Sequence, residues 1–210
     1  MTEAIVKPKS GKSVGLDFGL KQFLTTSDGR VIEAPLFFKQ GIKKIRKLHR
    51  ILSHKKRGSN NYNKALISLV KAYEQITNHR RDYHFKLAKK LAEEYALICI
   101  EDLDIKAMQK AWGRKISDLG HSRFANILEY QSQKTGSMIV RIPRFYPSSK
   151  TCSDCLYEID ELPLNIRSWT CPKCNTTHDR DINAAKNILW VGASTLVGEG
   201  VRPASVGFLR

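Results

Sequence analysis

Nowhere in these 210 residues does an apolar run approach the roughly 18 consecutive positions that a membrane-spanning helix needs. The opening stretch from Met1 to Lys9 also lacks the apolar segment of a secretory signal. These two absences argue against a membrane partner and point to a cytoplasmic, reducing location. Cysteine is scarce, with five in all, and a reducing location disfavours disulfides, so clustered cysteines there serve better as metal ligands. Acidic residues are the other deficit: 20 Asp and Glu face 36 Lys and Arg, leaving a formal charge of +16. An excess of that size favours a polyanionic partner, because each neutralised phosphate releases condensed counterions. The 41% hydrophobic and 27% charged content is otherwise that of a globular chain. Its length suits one substantial core and a small appended module, and no internal repeat is visible.

The chain opens with a pattern of three short strands over residues 13–34. Val14 to Phe18 is apolar around a single carboxylate, Gln22 to Thr26 follows, and Asp28-Gly29 is a strong hairpin signal before Arg30 to Ala34. From Lys39 the period becomes helical, with Ile42, Ile45, Leu48 and Leu52 on one face. Lys39–Arg57 holds nine Lys and Arg and no acid. Gly58 to Asn61 breaks the pattern. A long helix then places Leu66, Leu69, Tyr73, Ile76, Arg80, Tyr83, Leu87 and Leu91 along its inner face. The two helices form an antiparallel hairpin over about 39–94, with a basic outer face suited to phosphate contact. Ala96–Ile100 reads as a buried strand with Glu101 and Asp102 at its exit. Lys106–Gly120 reads as a mobile loop, His121–Thr135 as a helix turning Phe124, Ile127 and Leu128 inward, and Met138–Ile142 as a strand. A terminal helix runs from Asp181 to Val191, and the Gly/Ser-rich residues 192–210 form a flexible tail.

Cys152-Ser-Asp-Cys155 and Cys171-Pro-Lys-Cys174 enclose fifteen residues. Two such pairs at this separation suit tetrahedral zinc: each knuckle presents two thiolates and the intervening hairpin brings them together. Four thiolates close the coordination sphere, so the ion is structural, and His178 finds no vacancy in it. A redox role would require a single pair beside a βαβ unit. Cys99, in an apolar strand, is a small core residue.

Three acids remain. Asp17 stands inside a strand, an unfavourable place for an uncompensated charge. Glu101 ends the buried strand, and Asp181 opens the last helix. Singly, such residues are ordinary: strand-end acids are solvated, and a helix-opening Asp is a cap. Carboxylates gathered from separate segments can instead hold two divalent ions roughly 3.5–4 Å apart.

Gly15-Leu16-Asp17-Phe18-Gly19, Ile100-Glu101-Asp102-Leu103, the segment Arg144 to Cys155, and His178 to Ala185 occur in that order. Together they closely resemble the C-terminal half of the TnpB (OrfB) proteins of insertion sequences, relatives of type V CRISPR effector nucleases. The resemblance covers the chain from about Ser13 to Leu189. It implies an α/β, RNase H-like fold of RuvC type, a mixed sheet flanked by helices with an inserted helical hairpin and a zinc ribbon. The implied layout is a nuclease core over 1–150, the ribbon over 151–178 and the core's final helix over 179–191. It further implies Asp17, Glu101 and Asp181 as catalytic ligands of Mg2+ (Mn2+ could substitute), and Cys152, Cys155, Cys171 and Cys174 as zinc ligands. RNA-guided cleavage of DNA is the implied activity. Asp179 rivals Asp181 for the third ligand; Asp181 is preferred because the family's acid stands two residues before the Asn of Asn-Ala-Ala. Leu156 departs from the glycine that often follows the first knuckle, which bears on turn geometry alone. The family's N-terminal wedge and recognition domains, which grip guide RNA, have no counterpart in the sixteen residues before Asp17. The expectation is therefore a truncated reading frame, an internally initiated product or an excised domain.

The leading reading is a two-metal DNA endonuclease domain. A basic zinc-ribbon protein that holds nucleic acid without cutting it is the alternative, and a stand-alone resolvase or RNase is a third, weakened by the ribbon.

Overall fold

A computed structural model describes residues 11–104, 110 and 113–197. Its centre is a five-stranded sheet of order β3-β2-β1-β4-β5. The strands are β1 (Ser13–Phe18), β2 (Gln22–Thr26), β3 (Val31–Glu33), β4 (Leu97–Glu101) and β5 (Met138–Ile142). β1 pairs antiparallel with β2 and parallel with β4, and β4 pairs parallel with β5, so the sheet is mixed. The Asp28-Gly29 hairpin forms as its residues require, with Gly29 at φ 86°. Thr26 and Tyr95 both donate to the Asp28 carboxylate, Tyr95 at 2.6 Å.

Helices cover both faces of the central strands, which is why β4 reads as an unbroken apolar run and not as an alternation. Val14, Leu16, Phe18, Ile98 and Ile100 point to one side. There they meet the C-terminal half of α2 (Asn60–Glu94) and α4 (His121–Thr135), through Ala88, Leu91, Phe124 and Leu128. Cys99 and Ile142 point to the other side, against Ile188 and Leu189 of α5 (Arg180–Val197). Burial pushes the Cys99 thiol up to about 12, as expected of an inert core residue.

α1 (Phe37–Ser53) lies antiparallel along the N-terminal half of α2, joined by Ile45, Leu69 and Ala72. Ser59 caps α2 by accepting from the Tyr62 amide. The buried face of α2 is rotated from the one its large residues suggest. Leu66 and Tyr73 are exposed, while Ala65, Ala72, His84, Ala88 and Ala92 are buried. Close helix contacts favour small residues, and a pattern weighted to large apolar ones misses them. The C-terminal part of α2, from Tyr83, and Tyr95 after it pack into the main core.

Two further differences separate the structure from the sequence pattern. Where the pattern predicts a mobile loop over Lys106–Gly120, residues 105–109 and 111–112 lie outside the described residues. Residues 114–119 form a short helix, α3 (Arg114–Leu119), with Ile116 and Leu119 buried. Its Asp118 accepts from the Phe38 and Lys39 amides at 2.9 and 3.2 Å and pairs with Arg80 at 3.1 Å. That carboxylate caps α1 from a distant element. In place of a flexible tail from residue 192, α5 continues to Val197; residues 198–210 lie outside the described residues.

Candidate functional site

The register of β1 on β4 sets Leu16 opposite Ile100, so Asp17 and Glu101 follow side by side at the ends of adjacent strands. With Gly15 and Cys99 they share the face that α5 covers. A Cβ on Gly15 would stand 2.0 Å from the Ala185 carbonyl oxygen, so only glycine permits this approach of helix to strand. Asp181, in the first turn of α5, is near enough that its charge acts on Asp17.

Burial first, then the charges of Glu101 and Asp181, hold the Asp17 carboxyl well above the usual carboxylate range; Arg180 and Arg167 oppose this only in part. Burial also raises Glu101, offset by the Ser148 hydroxyl, which donates to it at 2.6 Å. Arg167 binds both Asp181 oxygens at 3.2 Å. Asp179 is otherwise employed: it accepts from the Asp181 and Ile182 amides at 3.0 and 2.9 Å, the N-cap of α5. The helix-opening cap is thus Asp179, and Asp181, the second residue of α5, keeps its carboxylate on Arg167 and near enough to raise Asp17.

Among the described residues, the sulfurs of Cys152, Cys155, Cys171 and Cys174 are the group whose atoms lie within 4.8 Å of one another. Cys152–Cys174 and Cys155–Cys171 are each 3.6 Å apart, near the roughly 3.8 Å edge of a tetrahedron with 2.3 Å metal–sulfur bonds. The two knuckles repeat one another. Leu156 and Asn175 amides donate back to Cys152 and Cys171 carbonyls, each at 2.9 Å, and both residues take positive φ, 62° and 59°. That conformation explains the glycine often found at Leu156's position. The antiparallel pair β6 (Ser168–Thr170) and β7 (Thr177–Asp179) joins the halves. His178 Nε2 sits 3.1 Å from Cys152 Sγ, supporting the cluster from behind.

The carboxylates do not converge so tightly, and a two-ion site does not ask them to: its outer ligands flank ions that are themselves roughly 3.5–4 Å apart. An all-oxygen donor set at a partly open strand end fits hard divalent cations.

Two asparagines that the sequence motifs leave unassigned fasten the ribbon to α5. Asn183 and Asn187, both buried on α5, donate to the Thr151 carbonyl at 2.8 and 2.6 Å, and Asn187 donates to the Ser148 carbonyl at 2.8 Å. Asn183 also accepts from the Ser153 amide at 2.9 Å. Ser148 therefore touches Glu101 through its hydroxyl and α5 through its carbonyl. The i, i+4 spacing of two asparagines on a helix was the available signal.

A family model described as a probable transposase, OrfB_IS605, matches residues 1–111. The chain belongs to this family. A second model, the Cas12f1-like TNB domain, matches residues 121–188, from α4 through the ribbon to the first half of α5. A putative RNA-guided DNA endonuclease of Streptomyces pristinaespiralis is 37% identical, over 93% of the chain and 49% of that protein. The putative RNA-guided DNA endonuclease InsQ of Escherichia coli K12 is 32% identical, over 92% of the chain and 52% of that protein. The chain spans about half the length of these relatives. Among solved structures, Cas12f1 in its complex with sgRNA and target DNA superposes with a TM-score of 0.62 at 21% identity, over 84% of this chain and 49% of that one. The RNA-guided endonuclease Cas_phi3 gives 0.51 at 14% identity, over 90% and 45%. These likenesses are of fold. No described helix is long and apolar enough to cross a membrane.

Proposed function

We propose that this chain is the RuvC-type nuclease half of a transposon-encoded, TnpB-like RNA-guided DNA endonuclease, with a structural zinc ion in its four-cysteine ribbon. One observation carries the reading: Asp17 and Glu101 follow in register on adjacent strands, and Asp181, from a helix far away in sequence, is near enough that its charge, after burial and Glu101, raises the Asp17 carboxyl. In this reading the three carboxylates would hold magnesium. Bound there, the ions would supply an activated water and stabilise the leaving oxygen of a phosphodiester.

The chain's own groups fit supporting parts. Ser148 orients Glu101 by its hydrogen bond. Arg167 steadies Asp181, and Asp179, as cap, fixes the helix that carries it. The asparagine clamp holds ribbon and helix together, so the ribbon braces the element that delivers the third ligand. The names of the relatives support DNA as substrate and RNA as guide. Acid-free Lys39–Arg57 offers a surface for either polyanion.

The test is cleavage of single-stranded DNA by the purified chain with Mg2+ and with EDTA. Asp17→Ala and Glu101→Ala should each lower the rate by at least about a hundredfold while the circular dichroism spectrum is unchanged. Mutants that cut as fast as the parent would remove these carboxylates from the site. A parent that binds DNA but leaves it intact under every metal condition would favour the non-cleaving zinc-ribbon reading.

A further inference from the structure

Phe145 is 92% exposed, the most exposed large apolar side chain among the described residues. Single exposed apolar residues are common and usually mean nothing. This one differs in how it is held. Pro143 and Pro147 bracket it, the Tyr146 amide donates to the Pro143 carbonyl at 3.1 Å, and the Ser148 amide donates to the Tyr146 carbonyl at 2.8 Å. Tyr146 packs inward against the cluster of Cys99, Ile142, Ile188 and Leu189. The turn is thereby pinned, and Phe145 is turned out to water.

Its neighbours tie it to the acidic site on both sides. Arg144 donates to the Asp102 carboxylate at 2.7 Å, and Ser148 donates to Glu101 at 2.6 Å. The ring thus stands on a short rigid turn whose two ends are bonded to consecutive residues of the β4 exit. Arg144 and Arg167 are engaged by Asp102 and Asp181, and cations held by Asp17, Glu101 and Asp181 would draw a phosphate without fixing the place of a base. An attraction that does not depend on charge is needed for that. An exposed phenyl ring supplies it, because every nucleobase has an apolar face and stacking tolerates any sequence. Such a face is available only in an unpaired nucleotide, since in a duplex the bases stack on one another.

We infer that Phe145 is a stacking platform for one unpaired base of a single-stranded nucleic acid lying across the Asp17–Glu101–Asp181 site. This rests on the nuclease reading for the strand's path, but the stacking itself does not require cleavage.

The experiment measures anisotropy of short labelled single-stranded oligonucleotides on the full 210-residue chain, with calcium in place of magnesium to hold off hydrolysis. One abasic site is scanned along the oligonucleotide, and a 2-aminopurine is placed where the abasic site weakens binding most. Phe145→Ala should weaken binding by about tenfold, lose the abasic sensitivity at that position and abolish the 2-aminopurine quenching; Phe145→Tyr should restore all three. Being exposed, the position should leave the thermal melt unchanged. Equal affinity and equal abasic sensitivity in parent and Phe145→Ala would overturn the inference. Asp17→Ala separates the two readings. If it abolishes cleavage while Phe145→Ala binds like the parent, the nuclease reading stands and the platform falls. If Phe145 governs stacking but the parent never cleaves, the platform stands and the nuclease reading falls.

Discussion

Asp17 sits beside two other acids on a sheet face that a helix covers, and its carboxyl is raised well above the ordinary 3.8. The sign of its effect on stability follows. Below the ordinary value the group is protonated in the folded and unfolded chain alike, and stability is at its fullest. As pH rises through the raised value, the fold must carry a charge it disfavours, and stability is lost. In EDTA at neutral pH, Asp17→Asn should therefore melt higher than the parent, by about 2–8 °C, and the gap should close as pH falls toward the ordinary carboxylate value. Calorimetry across that range checks it; a variant that melts lower at neutral pH would show that the three charges do not crowd. Leu156 and Asn175 make a quieter point: their positive φ values belong to the knuckle and not to the residue type.

Helix α5 draws the site together because two glycines let it lie against the sheet. Gly15 admits the Ala185 carbonyl, and at Gly192 a Cβ would stand 2.5 Å from the Cys99 sulfur. A glycine late in the sequence suggests a helix end and a loose tail; here it marks a close approach inside the helix. Gly15→Ala sets a methyl against backbone, which no rotamer change relieves. It should lose about 1–3 kcal/mol in urea denaturation and lower Mg2+-dependent cleavage through displacement of Asp181. A variant as stable as the parent would show that α5 can slide. Element α1 carries a similar lesson: its first turn is capped by Asp118, some eighty residues away, and no local pattern announces that.

The molecule as a whole is a small mixed sheet between helices, with a metal-ready ribbon clamped to one of them and a charge of +16. The purified chain should contain one zinc per molecule by atomic emission, and Cys155→Ser with Cys174→Ser should remove it. Chelation should expose the ribbon to protease while the sheet remains protected, since the sheet's core clusters include none of the four ribbon cysteines. Nucleic-acid affinity should fall steeply with salt. Replacing Lys43, Arg46, Lys47 and Arg50 with glutamine should lower the slope of log K against log salt by about 0.7–0.9 for each phosphate that is no longer neutralised. An unchanged slope would place the binding surface elsewhere.

Much of this is legible in the sequence. The cysteine spacing, the Asp-Gly hairpin, the buried run at β4 and the bounds of α4 and β5 are local, each set by neighbours within a few residues. The order of the acidic motifs also identifies the family, because motif order survives where composition does not. What only the tertiary structure decided is non-local. Which face of α2 is buried depends on alanines whose value lies in close approach. Asp179 is the cap and the charge of Asp181 reaches Asp17 because α5 packs closely on β1 at Gly15. Ser148, Asn183 and Asn187 matter because the ribbon docks where their polar atoms are buried and must be paired. Phe145 is conspicuous only once its turn is seen pinned beside Glu101, for a sequence shows that a phenylalanine is present but not that it is left in water.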